Sequence, residues 1–459
     1  MIEQFANIFR VPDLRKRVIF TLGVIALCRV GVYVPIPGVD TQVLESYLRQ
    51  YATTGIGQIL GLINLFAGGA MFAGAVFSLG IMPYISSSII FQLLVSVIPA
   101  LEKLQKEGES GRKKINQYTR MATVALCLFQ AFIMTRGLYQ IEFGGQFVVP
   151  AEIQGIRFQI FAAILMTTGT MILMWLGEQI DEFGIGNGIS IIIMVGILER
   201  LPYELGTVLQ HATLSLTPAE HEIGIVKLAV LLAMALVIIV GVIFVTQGQR
   251  RIPVQQAKHT RGRRVYGGMR HFLPLRVNQA GVIPIIFAQS LLIFPSAVFQ
   301  GIRARLDANT LLYRLVTIIG DSLSSESFFY MACYVALIFF FSYFWTAIQF
   351  NPTEMADNMK DYGSFIPGIR PGRHTAEHLE NVMTHITLPG AAFLAVIAVL
   401  PTLVSNAMGI HYGLASFYGG TGLLIVVGVG LDVIQKIESH LLMRHYEGFL
   451  RGGRIRGRR

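Results

Sequence analysis

The chain alternates long apolar runs with shorter polar and basic segments. Several runs reach about 20 residues, the length that an α-helix needs to cross the hydrocarbon core of a bilayer. The pattern predicts ten spanning helices, at 18–35, 75–98, 118–138, 158–176, 188–201, 225–245, 277–299, 328–350, 386–403 and 415–433. The fifth is short, and we expect it to extend backwards through a glycine-rich turn.

One apolar stretch, at 59–99, is about 40 residues long, roughly twice what one crossing needs. Its first part, to about residue 72, is interrupted by glycines, each of which costs up to about 1 kcal/mol relative to Ala in a helix. Backbone that does not span the bilayer is tolerated at membrane depth only inside protein or against a water-filled cavity. We therefore expect a short re-entrant helix followed by a full span, in a protein that encloses a passage.

Composition supports this interpretation, because 53% of the 459 residues are hydrophobic and only 14% are charged, whereas soluble domains carry about 25% charged residues. Basic residues are concentrated in five segments: 15–17, 103–114, 250–276, 360–373 and 444–459. Three connections contain neither Lys nor Arg: 139–154, 206–223 and 404–414. A fourth outside segment, 300–327, holds three arginines that are offset by three acidic residues. The positive-inside rule then places both termini in the cytoplasm.

Ten spans divide into two halves of five, and the odd number in each half predicts that the halves are inverted. Inverted halves that enclose a midplane site are common in transport proteins. The predicted divisions are an N-terminal half at 1–205, an outside hinge at 206–224, a C-terminal half at 225–436 and a basic tail at 437–459. The fold class expected is an all-α membrane protein with ten helices in two inverted, pseudo-symmetric halves and a re-entrant helix. The halves show no clear sequence similarity, so the symmetry rests on topology alone.

Two inside loops, at 247–276 and 351–379, are too long to be simple connections, and such loops are usually functional or disordered. Apolar residues are interleaved in both, so we expect ordered structure. The first alternates around the sequence RRVYGG, which is consistent with a hairpin.

No catalytic motif stands out, so the chain is not expected to be an enzyme or to bind a cofactor. The sequence GIGNG at 184–188 does not follow a strand; it predicts a chain reversal with Asn187 capping the next helix. His374 and His378 are four residues apart, which places them on one helix face, but no third ligand lies nearby and no metal site is expected.

Ionisable residues are scarce within the predicted spans. We identify Arg29 in the first span, with Arg120 and Asp432 near span ends. An ion-coupled carrier for small solutes normally keeps carboxylates or histidines near the midplane, and none is evident, which counts against that class. Arg29 is a functional candidate, although an arginine paired to carbonyls for structural reasons explains it equally well.

Isoleucines recur at helical spacing in two spans. Ile81 and Ile85 are separated by four residues, as are Ile189 and Ile193, so each pair shares a helix face. Aliphatic residues at this spacing usually face lipid or the core. Here one pair follows the re-entrant stretch and the other follows the glycine turn, which favours a hydrophobic constriction that excludes ions without using charge.

Six motifs carry a family resemblance: LGIMPYISSSII (79–90), KEGESGRKKINQYTR (106–120), MWLGEQIDEFGIGNGISIII (174–193), GRRVYGG (262–268), LRVNQAGVIPIIFA (275–288) and FIPGIRPG (365–372). With them the chain closely resembles the SecY family, the channel subunits of the Sec protein translocase, in their bacterial form. The resemblance covers nearly the whole chain, from residue 29 to residue 450.

The resemblance implies roles for particular residues. The pore ring would consist of Ile81, Ile85, Ile189, Ile193, Ile286 and Ile425. A plug at about 57–72 would include Gly61, Asn64, Phe66, Gly68 and Gly69. A lateral gate, between the second and third spans and the seventh and eighth, would contain the polar residues Gln92 and Asn278. Cytoplasmic contacts to a motor or ribosome would use Arg263, Arg264 and Arg370.

The function implied is a protein-conducting channel in the plasma (inner) membrane. Its expected partners are the SecE and SecG subunits, the motor ATPase SecA, the ribosome with its RNA, signal peptides, nascent chains and membrane lipids. Two other functions remain open: a small-solute transporter, and a scaffold that anchors RNA through the basic loops. The scaffold explains the arginines but not the re-entrant stretch.

Overall fold

The computed structural model describes residues 11–50, 64, 66–139, 141–211, 224–256, 259–261, 264–266, 270–303, 310–323, 327–408 and 420–452. Two compact units emerge. The first comprises Met1–Thr213, Pro218–Ile223 and Ile425–Arg459, and the second comprises Leu214–Thr217 and Gly224–Leu424.

The first unit is built from helices, with one short hairpin. Its elements are α1 (Pro12–Val32), α2 (Thr41–Gln50), α3 (Met82–Val97), α4 (Pro99–Lys106), α5 (Glu109–Leu138), β1 (Glu142–Phe143), β2 (Gln146–Phe147), α6 (Ile156–Phe183), α7 (Gly188–His211) and most of α14 (Thr421–Gly452). Strands β1 and β2 are antiparallel. Helix α6 packs against α1, α3, α5 and α7 and is therefore the centre of this unit.

The second unit combines helices with two small sheets. Its elements are α8 (Ile225–Gln247), β3 (Gln249–Gln256), β4 (His259–Arg261), β5 (Arg264–Tyr266), β6 (Arg270–Arg276), α9 (Ile283–Arg303), α10 (Leu311–Ser322), α11 (Phe328–Gln349), α12 (Pro352–Asp361), β7 (Ser364–Phe365) and α13 (Arg373–Met408). Helix α11 packs against both α9 and α13.

Each of the ten predicted spans overlaps a helix. In the described part of the chain, five helices are long and apolar enough to cross a bilayer, namely α5, α6, α8, α11 and α13. Helices α3 and α4 form a further candidate that bends by 98° between them. Shorter apolar helices occur at Gly188–Glu199 and Ile283–Leu292. These features define a multi-pass membrane protein.

The second predicted span is wrong at its start. Helix α3 begins at Met82, not at residue 75, and residues 67–81 form successive turns. Four glycines in this region adopt positive φ angles, which break a right-handed helix: Gly68, Gly69, Gly74 and Gly80. A proline in the first turn, Pro83, suits the helix start because it needs no N–H partner there.

The core of the first unit holds the segment 64–80 tightly against its helices. A Cβ atom at Gly169 of α6 would overlap the carbonyl oxygen of Val76, and one at Gly31 of α1 would overlap the ring of Phe77. Gly169 therefore lets the backbone of the segment touch α6 directly, and Gly31 leaves room for the Phe77 ring against α1. On the far side of α3, the hydroxyl of Ser87 donates to a carbonyl of α5 at 2.8 Å.

The described residues of both long loops, at 247–276 and 351–379, form regular structure, as predicted. Strand β3 pairs with β6 in an antiparallel hairpin, and β4 pairs with β5 near its tip, so the predicted hairpin is confirmed. Strand β7, from the second loop, adds to the free edge of β3 through Gln255 and Phe365. The sheet order is therefore β6-β3-β7. One buried cluster lies beneath it: Ile252, Leu275, Ile366, Leu379 and Met383.

The packing of α6 against segment 64–80 gives a stability prediction. Gly169→Ala should lower the free energy of unfolding by about 1–3 kcal/mol, because the added methyl group forces the Val76 carbonyl to move. Thermal unfolding in detergent measures this. Gly137→Ala in α5 is the matched control, since a Cβ there meets nothing within 4 Å. Equal midpoints for the two variants would contradict the close approach.

Candidate functional site

The re-entrant segment, defined as residues 64–80, is folded around its own buried polar groups. Asn64 is 2% exposed, and its Oδ1 accepts a hydrogen bond from the Phe72 N–H at 3.2 Å. The Asn64 carbonyl accepts from the Gly69 N–H at 3.1 Å. The ring of Phe66 is buried beside them. The predicted plug residues Asn64, Phe66, Gly68 and Gly69 thus form one compact turn, while Gly61 lies outside the described residues.

The second part of the re-entrant segment is tied to α1 and α6. The hydroxyl of Ser78 is fully buried and donates to the carbonyl of Ala70 at 3.2 Å. The Thr170 hydroxyl of α6 donates to the Gly80 carbonyl at 3.0 Å. Residues after α1 pair with the backbone around Ala75, as in the Val76 N–H bond to the Val34 carbonyl. Non-helical backbone is thus satisfied inside protein, as membrane depth requires.

Arg29 of α1, a candidate from sequence, contacts the same segment. Its Nη1 donates to the Gly68 carbonyl at 3.2 Å and forms an ion pair with Glu199 of α7. Glu199 lies near the end of the fifth predicted span, so the ionisable residues identified from the sequence, Arg29, Arg120 and Asp432, were an incomplete set. The signal was present, since an acidic residue in an apolar run is a functional candidate by default.

Five of the six predicted ring residues are nearly inaccessible. Their exposed fractions are Ile81 1%, Ile85 7%, Ile193 3%, Ile286 7% and Ile425 1%. The backbone N–H of Ile85 bonds to the Ile81 carbonyl at 3.1 Å, so this pair shares one helical turn. Ile189 is half-buried, and its Cγ1 lies near Gly177 of α6. Ile286 belongs to the second unit and the other five to the first.

The glycine-rich turn at 184–188 joins α6 to α7, as predicted. Gly186 has a φ of +99°, which favours glycine. The Oδ1 of Asn187 accepts from the Ser190 N–H at 3.0 Å, which confirms the predicted cap. Asp181 accepts from the Gly188 N–H at 2.8 Å. The turn is therefore a rigid reversal that fixes the start of α7.

The remaining predicted residues lie in different places. Gln92 is half-buried in α3, and its Oε1 has no hydrogen-bond partner among the described residues. The Nδ2 of Asn278 donates to the Gly281 carbonyl at 3.0 Å in the second unit. Arg370 is exposed in the loop before α13, and Arg264 is in β5. Arg263 lies outside the described residues.

The two histidines at the start of α13 do not form part of a larger ligand set in the described residues. His374 Nδ1 lies 3.3 Å from Glu377 Oε2. No group of three His, Cys, Asp or Glu side chains in the described part of the chain is arranged to hold a metal ion. This end of α13 is thus a charged surface.

Fold and site together define a multi-pass, all-α membrane protein with a non-helical segment nested in its first unit. Comparison with known proteins gives the family. The SecY family model matches residues 75–434, and the chain belongs to the SecY family.

Curated relatives agree over their full lengths. The protein translocase subunit SecY of Mycobacterium bovis is 47% identical over 461 residues, covering 98% of this chain and 100% of the relative. That of Thermotoga maritima is 42% identical over 460 residues and covers 100% of both chains. These relatives confirm the resemblance seen in the sequence motifs.

Solved structures share the fold at low sequence identity. One, described as a protein-conducting channel, has a TM-score of 0.59 at 16% identity and covers 93% of this chain and 92% of its own. Canine Sec61 in a ribosome–channel complex from the endoplasmic reticulum has a TM-score of 0.54 at 15% identity, with the same coverage. The likeness supports the predicted fold class, an all-α membrane protein of ten helices in two halves.

A buried hydrogen bond shapes the loop that carries Arg370. The Thr375 hydroxyl is buried and donates to the Arg370 carbonyl at 2.9 Å. Thr375→Val removes this bond without changing shape, at a net cost of about 1 kcal/mol. Hydrogen–deuterium exchange of the amides at 372–376 should quicken about threefold to tenfold if they open locally. Thr384→Val, which removes an exposed hydroxyl bond within α13, is the control. Unchanged exchange would show that the bond does not order the loop.

Proposed function

We propose that this chain is the central subunit of a protein-conducting channel, which passes unfolded secretory proteins across the membrane and releases hydrophobic segments sideways into the bilayer. The observation that carries the proposal is the re-entrant segment, which is apolar and largely buried in a unit of membrane helices and whose residues 67–80 are not helical. Such backbone is found where it is enclosed by protein or lines a cavity. Membership of the SecY family supports the same function.

Isoleucine suits the seal of such a channel. A translocated chain changes its side chain at every residue, so the constriction cannot depend on specific hydrogen bonds. A ring made by Ile81, Ile85, Ile189, Ile193, Ile286 and Ile425 would act as a compliant gasket and exclude water and ions by dewetting. The burial of five of these side chains supports their assignment to the ring, because side chains that faced lipid would be exposed.

The lateral gate would lie between α3 and α5 of the first unit and α9 and α11 of the second. An apolar segment of about 20 residues then partitions into lipid, favoured by a few tenths of a kcal/mol for each Leu or Ile. Gln92 supports this assignment, because its Oε1 is buried without a hydrogen-bond partner in the described part of the chain, and an unsatisfied polar group suits a helix that must be able to move. Asn278 is the proposed polar counterpart.

The proposed setting is the plasma (inner) membrane with both termini in the cytoplasm, with halves at 1–205 and 225–436, a hinge at 206–224 and a tail at 437–459. The proposed partners are SecE, SecG, the motor SecA, the ribosome, signal peptides and lipids. Exposed basic residues on the cytoplasmic loops support contacts with a motor or with polyanionic RNA. Arg370 is one of them, and the proposal extends to Arg263 and Arg264.

A small-solute transporter is the second candidate, and Glu199 is the observation in its favour. A carboxylate inside a span is typical of coupled carriers. Glu199 is, however, already paired with Arg29 and also accepts from Tyr33, so it is not free to bind a solute. Flux of labelled solutes into vesicles separates the two functions, because the channel should show none when it is closed.

Disrupting the ring should make the resting channel leak. Replacing Ile81, Ile85, Ile189 and Ile193 with Ser should raise ion conductance in planar bilayers roughly tenfold or more, because polar side chains let water wet the constriction. Ile192→Ser is the control: Ile192 is buried in α7 next to the ring position Ile193 but is not assigned to the ring. Unchanged conductance in the fourfold variant would remove the ring from the proposal.

Reversing the charge of Arg370 should separate two activities. Arg370→Glu should reduce SecA-driven translocation into reconstituted vesicles to roughly a tenth or less, because a repulsive charge replaces an attractive one at the contact. Insertion of membrane proteins should be spared. Arg373→Glu is the control, since that arginine is also exposed but pairs with Glu377. Normal translocation by Arg370→Glu would refute the contact.

A further inference from the structure

An ion pair between α1 and α7 lies against the glycine turn of the re-entrant segment. Arg29 Nη1 contacts both Glu199 Oε2 and the Gly68 carbonyl. The hydroxyl of Tyr33, four residues after Arg29, donates to Glu199 Oε1 at 3.1 Å. Two helices therefore reach the same turn through one pair of opposite charges.

The turn touches α7 without a side chain between them. A Cβ atom at Gly196 would lie 3.0 Å from the Gly68 Cα, and Gly68 and Gly69 have φ angles of +60° and +86°. A Cβ at Gly69 would lie 3.9 Å from Glu199 Oε2. Only backbone meets at the contact between Gly196 and Gly68. The side chains that can hold the turn in place are therefore those of Arg29 and Glu199.

The ion pair between Arg29 and Glu199 is largely shielded from solvent, and this shielding strengthens it. The side chains of Arg29 and Glu199 are 22% and 25% exposed. Segment 64–80 contains no charged residue of its own. The hydrogen bonds that its carbonyls accept from the hydroxyls of Ser78 and Thr170 are neutral. Hydrogen bonds from charged donors are stronger than neutral ones, and removing one partner of a shielded pair leaves the other charge uncompensated. Displacing the turn would take a carbonyl acceptor away from Arg29.

We propose that Arg29 and Glu199 are positioning residues that latch the re-entrant segment in its seated position and thereby set how often the resting channel opens. The proposal rests on the function proposed above, in that it treats this segment as the plug. The competing explanation is that the pair only joins α1 to α7. In that case its loss lowers stability and leaves the segment seated.

A cysteine reporter distinguishes these explanations. The full chain, in its membrane complex in vesicles, would carry Met71→Cys in a background where Cys28, Cys127 and Cys333 are replaced by Ala. Met71 is 7% exposed, so maleimide labels the reporter only when the segment leaves its seat. Labelling is measured well below the unfolding temperature, where a merely structural role does not change the rate.

Arg29→Gln should raise the labelling rate about tenfold, because it removes the hydrogen bond to Gly68 and leaves Glu199 uncompensated. Arg29→Lys keeps the charge and should stay within about threefold of the parent. The double variant with Arg29→Gln and Glu199→Gln should raise the labelling rate by less than the product of the two single-variant increases, because the two groups act as one pair. An unchanged labelling rate in folded Arg29→Gln overturns the latch.

Two further variants keep the test decisive. Arg120→Gln breaks the 2.7 Å ion pair between α5 and α6 in the same unit without touching the segment, and should leave labelling unchanged. If Arg29→Gln does not fold, Glu199→Gln and Tyr33→Phe carry the test, and each should raise labelling about twofold to threefold. No increase in either variant overturns the proposal.

Conductance measured on the same variants separates this proposal from the function. Faster labelling with a matching rise in resting conductance supports both. Faster labelling without any rise in conductance overturns the claim that the pair sets how often the channel opens. It also counts against the assignment of the segment as the plug. If the isoleucine ring variants leak but Arg29→Gln neither labels faster nor conducts more, the latch is refuted and the channel function stands.

Discussion

Backbone polar groups at membrane depth must find partners inside the protein, and residues 67–80 of the re-entrant segment meet this requirement without a helix. Its glycines adopt backbone angles that a helix does not allow. Its donors and acceptors are therefore paired one at a time, with the amide of Asn64, the hydroxyls of Ser78 and Thr170, and the guanidinium of Arg29. The surrounding helices carry glycine where the segment passes. Helices α1, α6 and α7 thus each leave room for this stretch of irregular chain at one glycine.

Apolar runs located the membrane helices well, because burial in lipid requires continuous hydrophobicity over a known length. Helix ends were harder to predict. Helix α13 begins at Arg373, well before the predicted span at 386–403, since a helix continues through polar residues once it has left the bilayer. Helix α3 begins late because glycine φ angles, which hydropathy does not report, keep the preceding residues in turns.

The site was only partly visible in the sequence. Arg29 stood out as a charge within an apolar run, but Glu199 was overlooked beside Arg200 at the end of a predicted span. Their pairing joins residues that are far apart in the chain, and no local pattern indicates it. The spacing of Ile189 and Ile193 gave a shared helix face, yet which neighbour that face meets depends on the close approach of α6 at Gly177. The assignments of ring and gate residues accordingly stay predictions.

The third strand of the sheet β6-β3-β7 has a consequence for biogenesis. Strand β7 pairs with β3 through Phe365 and Gln255, so the sheet joins pieces of chain made at very different times during synthesis. The β3–β6 hairpin can form as soon as it leaves the ribosome, but its open edge must wait until α9, α11 and α12 have been synthesised. During that interval the edge of β3 is free to pair with other extended chains. A nascent copy of this protein is therefore open to mispairing until β7 emerges, when about four-fifths of the chain has been made.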